Sequence, residues 1–159
     1  MKRILPFLFL INLTITCAQT KSENIIGEWK IISVNSRDFY LNTKADSISL
    51  SKEFKEVFKD SMQLENIINV AKMNYNNNVM EFIDSGVFNQ KINDEIRLYG
   101  TYEINPSIKK INVLLKNKVN WEMEYELVEN QLHLTTTVYK KKSEFVLERV
   151  KIKNATQHE

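Results

Sequence analysis

The stretch Val119 to Leu127 constrains the backbone more tightly than any other part of the chain. Val119, Trp121, Met123, Tyr125 and Leu127 alternate without a break with Asn120, Glu122, Glu124 and Glu126. Successive side chains point to opposite sides only in an extended strand, so one face of this segment meets a core and the other meets water. Such a strand also carries unpaired backbone groups along both edges, and these require neighbours.

The sequence around it supplies those neighbours. Val79 to Asp84 and Val87 to Ile92 flank Asp84-Ser85-Gly86, a hairpin signal because glycine accepts the positive φ that tight turns need. Ile96 to Ile104 ends at Asn105-Pro106-Ser107, and Lys110 to Lys116 ends at Asn117. After the alternating segment, Glu129-Asn130-Gln131 turns the chain into Leu132 to Tyr139. Lys140 to Lys142 is read as the next turn, and Glu144 to Ile152 as the last strand. The first strand is Ile25 to Val34, rich in β-branched residues and stopped by Asn35 to Asp38.

One long excursion interrupts this order. From about Ser51 to Tyr75 the period changes to that of a helix, with Phe54, Val57, Phe58, Leu64, Ile67, Ile68, Ala71 and Tyr75 on one stripe. Ser51 is a candidate cap, and Asp60-Ser61 a candidate break, so the spacing fits either one helix or two short ones. The helical insert is assigned to about residues 47–75, between the first and second strands. Its apolar stripe serves equally as a lid over a barrel mouth or as a face buried on the outer wall, and the second is the simpler.

The expected fold is therefore mainly β: an eight-stranded antiparallel up-and-down barrel over residues 25–153 with a helical insert. Gly27-Glu28-Trp29 in the first strand resembles the Gly-x-Trp motif of the lipocalins. Met80-Glu81-Phe82, Asp84-Ser85-Gly86, Gly100 to Ile104, Tyr125-Glu126-Leu127, Leu132-His133-Leu134 and Glu148-Arg149 follow in an order similar to small exported bacterial lipocalin-like domains. The resemblance implies a structural role for Gly27 and Trp29, with the indole closing the barrel floor and Arg149 stacked across it. It also implies a small hydrophobic ligand, a lipid or an apolar metabolite, held in the barrel.

The inward faces of the strands supply Phe82, Phe88, Leu98, Tyr102, Trp121, Met123, Tyr125 and Leu134. These are the candidate ligand-binding residues, and equally the candidate filling of a packed core, which is the simpler reading for a small barrel. No catalytic set emerges. His133 lies in a strand and is read as facing solvent, His158 lies in the tail, and neither has a second metal ligand at useful spacing. Only three glycines occur, with no phosphate-cradling loop or nucleophile elbow. The chain is expected to be no enzyme, and to use no metal or cofactor.

The ends of the chain speak to location. Lys2 and Arg3 precede the apolar run Ile4 to Ile15, which passes into Thr16-Cys17-Ala18, the layout of an export signal over residues 1–18. Cys17, the only cysteine, admits two readings. Either it becomes a lipidated N-terminus that anchors the protein to a membrane, or it is discarded when cleavage follows Ala18; the second is preferred because Thr14 and Thr16 depart from the lipobox pattern. A disulfide within the mature chain is impossible in both cases. Residues 19–24 form a polar leader and residues 154–159 a flexible tail. Of 22 basic and 20 acidic residues, removal of Lys2 and Arg3 leaves 20 against 20, a balance that gives no electrostatic footprint for nucleic acid. The function expected is an exported, periplasmic or outer-envelope lipocalin-like protein that binds a small hydrophobic molecule. The alternative is a protein–protein interaction module of the cell envelope whose barrel core is solid.

Overall fold

A computed structural model describes residues 24–138 and 140–151. The export signal, Cys17, most of the polar leader and the C-terminal tail lie outside these residues. Within them the chain forms β1 (Gly27–Ser36), β2 (Phe39–Asn42), β3 (Ser47–Leu50), α1 (Lys52–Val57), α2 (Ser61–Tyr75), β4 (Asn78–Ile83) and β5 (Val87–Ile92). There follow β6 (Glu95–Asn105), β7 (Lys110–Leu115), β8 (Asn120–Val128), β9 (Gln131–Val138) and β10 (Lys141–Arg149).

From β4 to β10 each strand pairs antiparallel with the next, β4 pairs back onto β1, and β10 pairs with β1 to close the ring. Eight strands, β1 and β4 to β10, thus form a closed up-and-down barrel, which leaves no free edge in the ring itself. One side of β1 runs along β10, while its other side is shared. Gly27 to Lys30 pair with Phe82 to Val79 of β4, and Ser33 to Asn35 pair with Asn42 to Tyr40 of β2. The β2–β3 hairpin therefore continues the sheet where β4 has ended.

That hairpin corrects the sequence reading. Residues 39–42 and 47–50 are strands, so the helices follow β3 and do not directly follow the first strand, and residues 47–50 are not part of the helical insert. Each is only four residues long, the alternation Ser47-Ile48-Ser49-Leu50 is too brief to mark a strand, and the pairing of β2 with β1 and of β3 with β2 makes them strands. The insert itself is two helices, with Ser51 Oγ accepting from the Phe54 amide and Asp60 accepting from the Met62 and Gln63 amides. The polylysine turn is also shorter than read: Lys141 and Lys142 belong to β10 and pair with Asp38 and Glu144.

Turn chemistry sets the hairpins. Asn93 and Asp94 both have positive φ, 52° and 65°, as the two-residue turn between the paired Ile92 and Glu95 requires. Gly86 takes φ 78° and its amide bonds Ile83 O at 2.9 Å. Inside the ring, Trp29, Ile31, Phe82, Phe88, Ile111, Val113, Leu132, Leu134 and Leu147 are buried in one continuous cluster.

The end of the barrel where β4 and β10 begin is closed by the insert. Tyr75, the last residue of α2, sits between Phe39 and Phe145 with ring centroids 6.1 and 6.5 Å away, and all three pack against the core. Asn78 donates to Asn74 O at the end of α2 and accepts from Gln90 at 3.0 Å, so the two buried polar side chains satisfy each other. The stripe Leu64, Ile67, Ile68, Ala71 and Tyr75 is half-buried, whereas Met62, Val70 and Met73 are exposed.

Gly100 marks the tightest approach in the wall. A Cβ there would lie 2.1 Å from Leu114 O and 2.8 Å from Leu115 Cα, both backbone atoms of the paired strand. Gly100→Ala is expected to destabilise the barrel by about 2 kcal/mol or more, since a paired strand cannot yield without breaking its ladder. Urea unfolding checks this; an unchanged midpoint would contradict the close approach.

Candidate functional site

The strand alternation places the expected inward residues on one surface. Phe82, Phe88, Met123, Tyr125 and Leu134 are buried, and Leu98, Tyr102 and Trp121 are partly buried against them. They meet one another directly: Phe82 lies 5.4 Å from Phe88 and 5.2 Å from Tyr102, and Phe88 lies 6.2 Å from Trp121, the latter two edge to face. The Tyr102 hydroxyl donates to Ile83 O at 2.9 Å, and burial, with the Asp84 charge behind it, raises its pKa. Of five clefts on the described residues, none is lined by Phe82, Phe88, Tyr102, Trp121 or Met123.

At the end of the barrel away from Tyr75, Trp29 and Arg149 face each other across the closing β1–β10 pair. The indole N–H donates to Ile25 O at 2.7 Å, and the Arg149 guanidinium carbon lies 4.3 Å from the ring centroid. Arg149 also donates to Ile26 O at 2.7 Å and Asn24 O at 2.6 Å. Gly27, at φ 125°, leaves room for this: a Cβ there would come within 2.9 Å of Arg149 Nη1. One side chain thus covers the indole and fastens the entering chain to the last strand.

A second polar group lies on the outer wall between β1, β4 and β5. Lys91 bridges Glu28 at 2.6 Å and Glu81 at 3.1 Å, two carboxylates that stand opposite one another on paired strands. Burial pushes the Glu81 pKa up, but hydrogen bonds from Asn89 and Lys91 outweigh it and hold the carboxyl below its usual range. The bond to Glu28, with that to Glu81, raises Lys91.

The largest departure from the sequence reading is on the outer face of β1, β10, β9 and β8. A cleft of about 740 Å³ runs across these strands, bounded by Tyr40 at one end and Ile108 and Lys109 at the other. One cross-strand row in it reads Tyr40, Asn35, Glu144, Thr135, Glu124, and the next reads Ser33, Val146, His133, Glu126. His133 is half-buried, contrary to its expected solvent exposure, and its Nε2 is shut off from water without a hydrogen-bond partner among the described residues. The alternation puts His133 on the outer face correctly; the cleft that it lines forms only where β1, β10, β9 and β8 lie side by side. Tyr40 and Asn35 carry no signal of this site in sequence. Among the described residues, no three His, Cys, Asp or Glu side chains converge so as to hold a metal ion, and no helix is long and apolar enough to cross a membrane.

These features define a closed eight-stranded antiparallel barrel, a fold of the kind used by ligand-binding and interaction modules. No family model matches the chain, and no curated protein matches it. Among solved structures it is similar to the crystal structure of a DUF4847 family protein from Bacteroides vulgatus ATCC 8482, with 14% identity, 79% of this chain and 93% of that chain covered, and a TM-score of 0.48.

The Arg149 and Lys91 contacts can be tested by substitution. Arg149→Ala is expected to cost about 1–2 kcal/mol, and Arg149→Lys to recover only part of it, because an ammonium cannot stack on Trp29 and reach two carbonyls at once. Equal stability of the alanine variant and the parent in urea unfolding would overturn that role. For Lys91→Met, Tm should fall by roughly 2–4 °C at neutral pH. Glu81 has a lowered folded pKa, so its contribution is full above the unfolded value of about 4.3 and disappears as pH falls through the folded one. Lys91, raised, contributes fully below its unfolded value and loses its share only as pH rises through the higher folded one. The difference in Tm between parent and variant should therefore close in acid, which thermal melts from pH 7 down to about 3 will read.

Proposed function

We propose that the protein is an exported, lipocalin-like, non-catalytic binding module of the cell envelope that works through its outer surface, with a barrel core filled by its own side chains. The observation that carries this reading is the mutual packing of Phe82, Phe88, Tyr102 and Trp121. A barrel of eight strands is just wide enough for side chains to fill or for one small ligand to occupy, and here aromatic rings take up the volume. Closure of one end by Tyr75, Phe39 and Phe145 supports the same conclusion, because an interior ligand would need that plug to move. Export is supported by the order of charge, apolar run and small residues in Met1 to Ala18.

The rival is the hydrophobic-ligand carrier, with Phe82, Phe88, Tyr102, Trp121, Met123, Tyr125 and Leu134 around the ligand. Native mass spectrometry of the full-length chain, produced in a bacterial host and purified from its envelope, separates the two. The expected spectrum is the bare polypeptide starting at Gln19, with no saturable uptake of a fluorescent fatty acid. A co-purifying lipid released on denaturation would overturn the filled core, and a start at an acylated Cys17 would replace ordinary cleavage by lipid anchoring. Phe88→Ala supplies the positive control, since the vacated apolar space should admit a small aromatic probe that the parent refuses.

A further inference from the structure

We infer that the free edge of β3 is a self-association site, at which a second copy of this chain adds its own β3 antiparallel about a two-fold axis at Ser49. The inference goes beyond the binding reading above and holds whether or not the barrel takes a ligand. β3 is where the continuous ladder ends. Each strand of the ring has a neighbour on both sides and β2 lies between β1 and β3, whereas β3 pairs with β2 alone among the described residues.

The register determines which backbone groups are left over. The Ser51 amide donates to Asp38 O at 2.9 Å, just beyond the Phe39–Leu50 pair, and on the other side of β2 the Thr43 amide donates to Ile32 O at 3.0 Å. In an antiparallel ladder, successive residues of a strand turn their amide and carbonyl groups alternately to one side and the other. Ser47 and Ser49 therefore exchange bonds with Asn42 and Tyr40, while Ile48 and Leu50 direct both N–H and C=O away from the sheet. None of these outward groups has a hydrogen-bond partner among the described residues.

The usual protections of an open edge are missing. β3 reads Ser-Ile-Ser-Leu, with no charge, no proline and no break in its register with β2. The insert supplies no cover of this kind either: α2 meets the hairpin at Phe39 and at Asp46, where Lys72 holds the carboxylate at 3.0 Å, and pairs with no backbone group of β3. Four residues make a short edge, which suits a reversible contact.

Unpaired N–H and C=O groups in alternation match a peptide backbone better than any small molecule. The sequence selects a second copy as its source. Ser47-Ile48-Ser49-Leu50-Ser51 has the same pattern in both directions from Ser49. Antiparallel pairing about Ser49 sets Ile48 of one protomer against its partner's Leu50, so that both residues donate and accept, apolar side chains oppose apolar ones and serine opposes serine. The same register sets Asp46 of one protomer opposite its partner's Lys52, an exposed cation with no ion pair among the described residues, so the charges flanking the strand are complementary. Such an isologous contact closes at two copies and leaves no edge on which to propagate.

The test combines sedimentation velocity with amide hydrogen exchange on the protein purified from the envelope. The parent is expected to pass from monomer to dimer as its concentration rises through the sub-millimolar range, with the Ile48 and Leu50 amides gaining protection in step. Ser49 is exposed and meets its own copy on the axis. Ser49→Lys and Ser49→Asp should each weaken dimerisation about tenfold or more, because like charges then stand directly opposite, and an equimolar mixture of the two should dimerise again. Ser49→Cys, a milder change, should form a disulfide-linked dimer on oxidation, whereas Ser47→Cys, whose copies lie far apart in this register, should not. A parent that stays monomeric at millimolar concentration, a Ser49→Lys dimer as tight as the parent's, a mixture that stays monomeric, or equal crosslinking of the two cysteine variants would overturn the inference. Ile48 and Leu50 amides protected at every concentration in a monomer would assign the edge to another segment of the same chain. Protection that appears only with a different co-purified polypeptide would assign it to that partner, and either result overturns the second copy.

Discussion

Everything else in this molecule depends on the pairing of the first strand with the last. β1 and β10 lie side by side from Trp29–Arg149 to Ser36–Ser143, and without that pairing the seven consecutive hairpin neighbours would form an open sheet with two exposed edges. The closure is long-range, joining residues more than a hundred positions apart, so its loop entropy must be repaid by contacts made only when the ring is shut. Trp29 and Arg149 are the contact at one end. The indole, its bond to Ile25 O and the guanidinium's bonds to Ile26 O and Asn24 O fix the strand at the same place where the chain enters.

Closure then dictates what the interior can be. Once the ring is shut, every inward side chain shares one volume, and aromatic rings from β4, β5, β6 and β8 meet in it, Phe82 with Tyr102 and Phe88 with Trp121 edge to face. The remaining opening is sealed by the segment that the barrel does not need for its own pairing. α2 presents Tyr75 to Phe39 and Phe145, and Asn78 secures the helix end through Asn74 O. Polar side chains face outward by the same alternation that buries their neighbours, and a cleft runs over β1, β10, β9 and β8.

The legible parts of the sequence were those in which a local period and a local turn agree. Val119 to Leu127, Asp84-Ser85-Gly86 and the helical stripe from Leu64 to Tyr75 all describe their own surroundings, because strand parity and helix periodicity are properties of neighbouring residues. β2 and β3 carried too short a signal: Phe39 to Asn42 and Ser47 to Leu50 are four residues each and become strands as β2 pairs with β1 and β3 with β2. His133 illustrates the site. Its outward direction was readable from Leu132 and Leu134 on either side, yet its burial depends on the curvature of four strands and on a turn from a different hairpin.

By itself, then, the chain determined a mainly β protein of consecutive antiparallel strands with an amphipathic helical insert and a Gly-x-Trp start. Those follow from residue order, since each rests on the chemistry of a few adjacent side chains. The tertiary structure alone decided where the helices enter, that the inward aromatics pack on one another, and that Tyr40, Asn35, Glu144, Thr135 and Glu124 share one row of a cleft. Such a row is assembled from five strands distant in sequence, and only the register of closed pairing, which no local pattern encodes, brings them side by side.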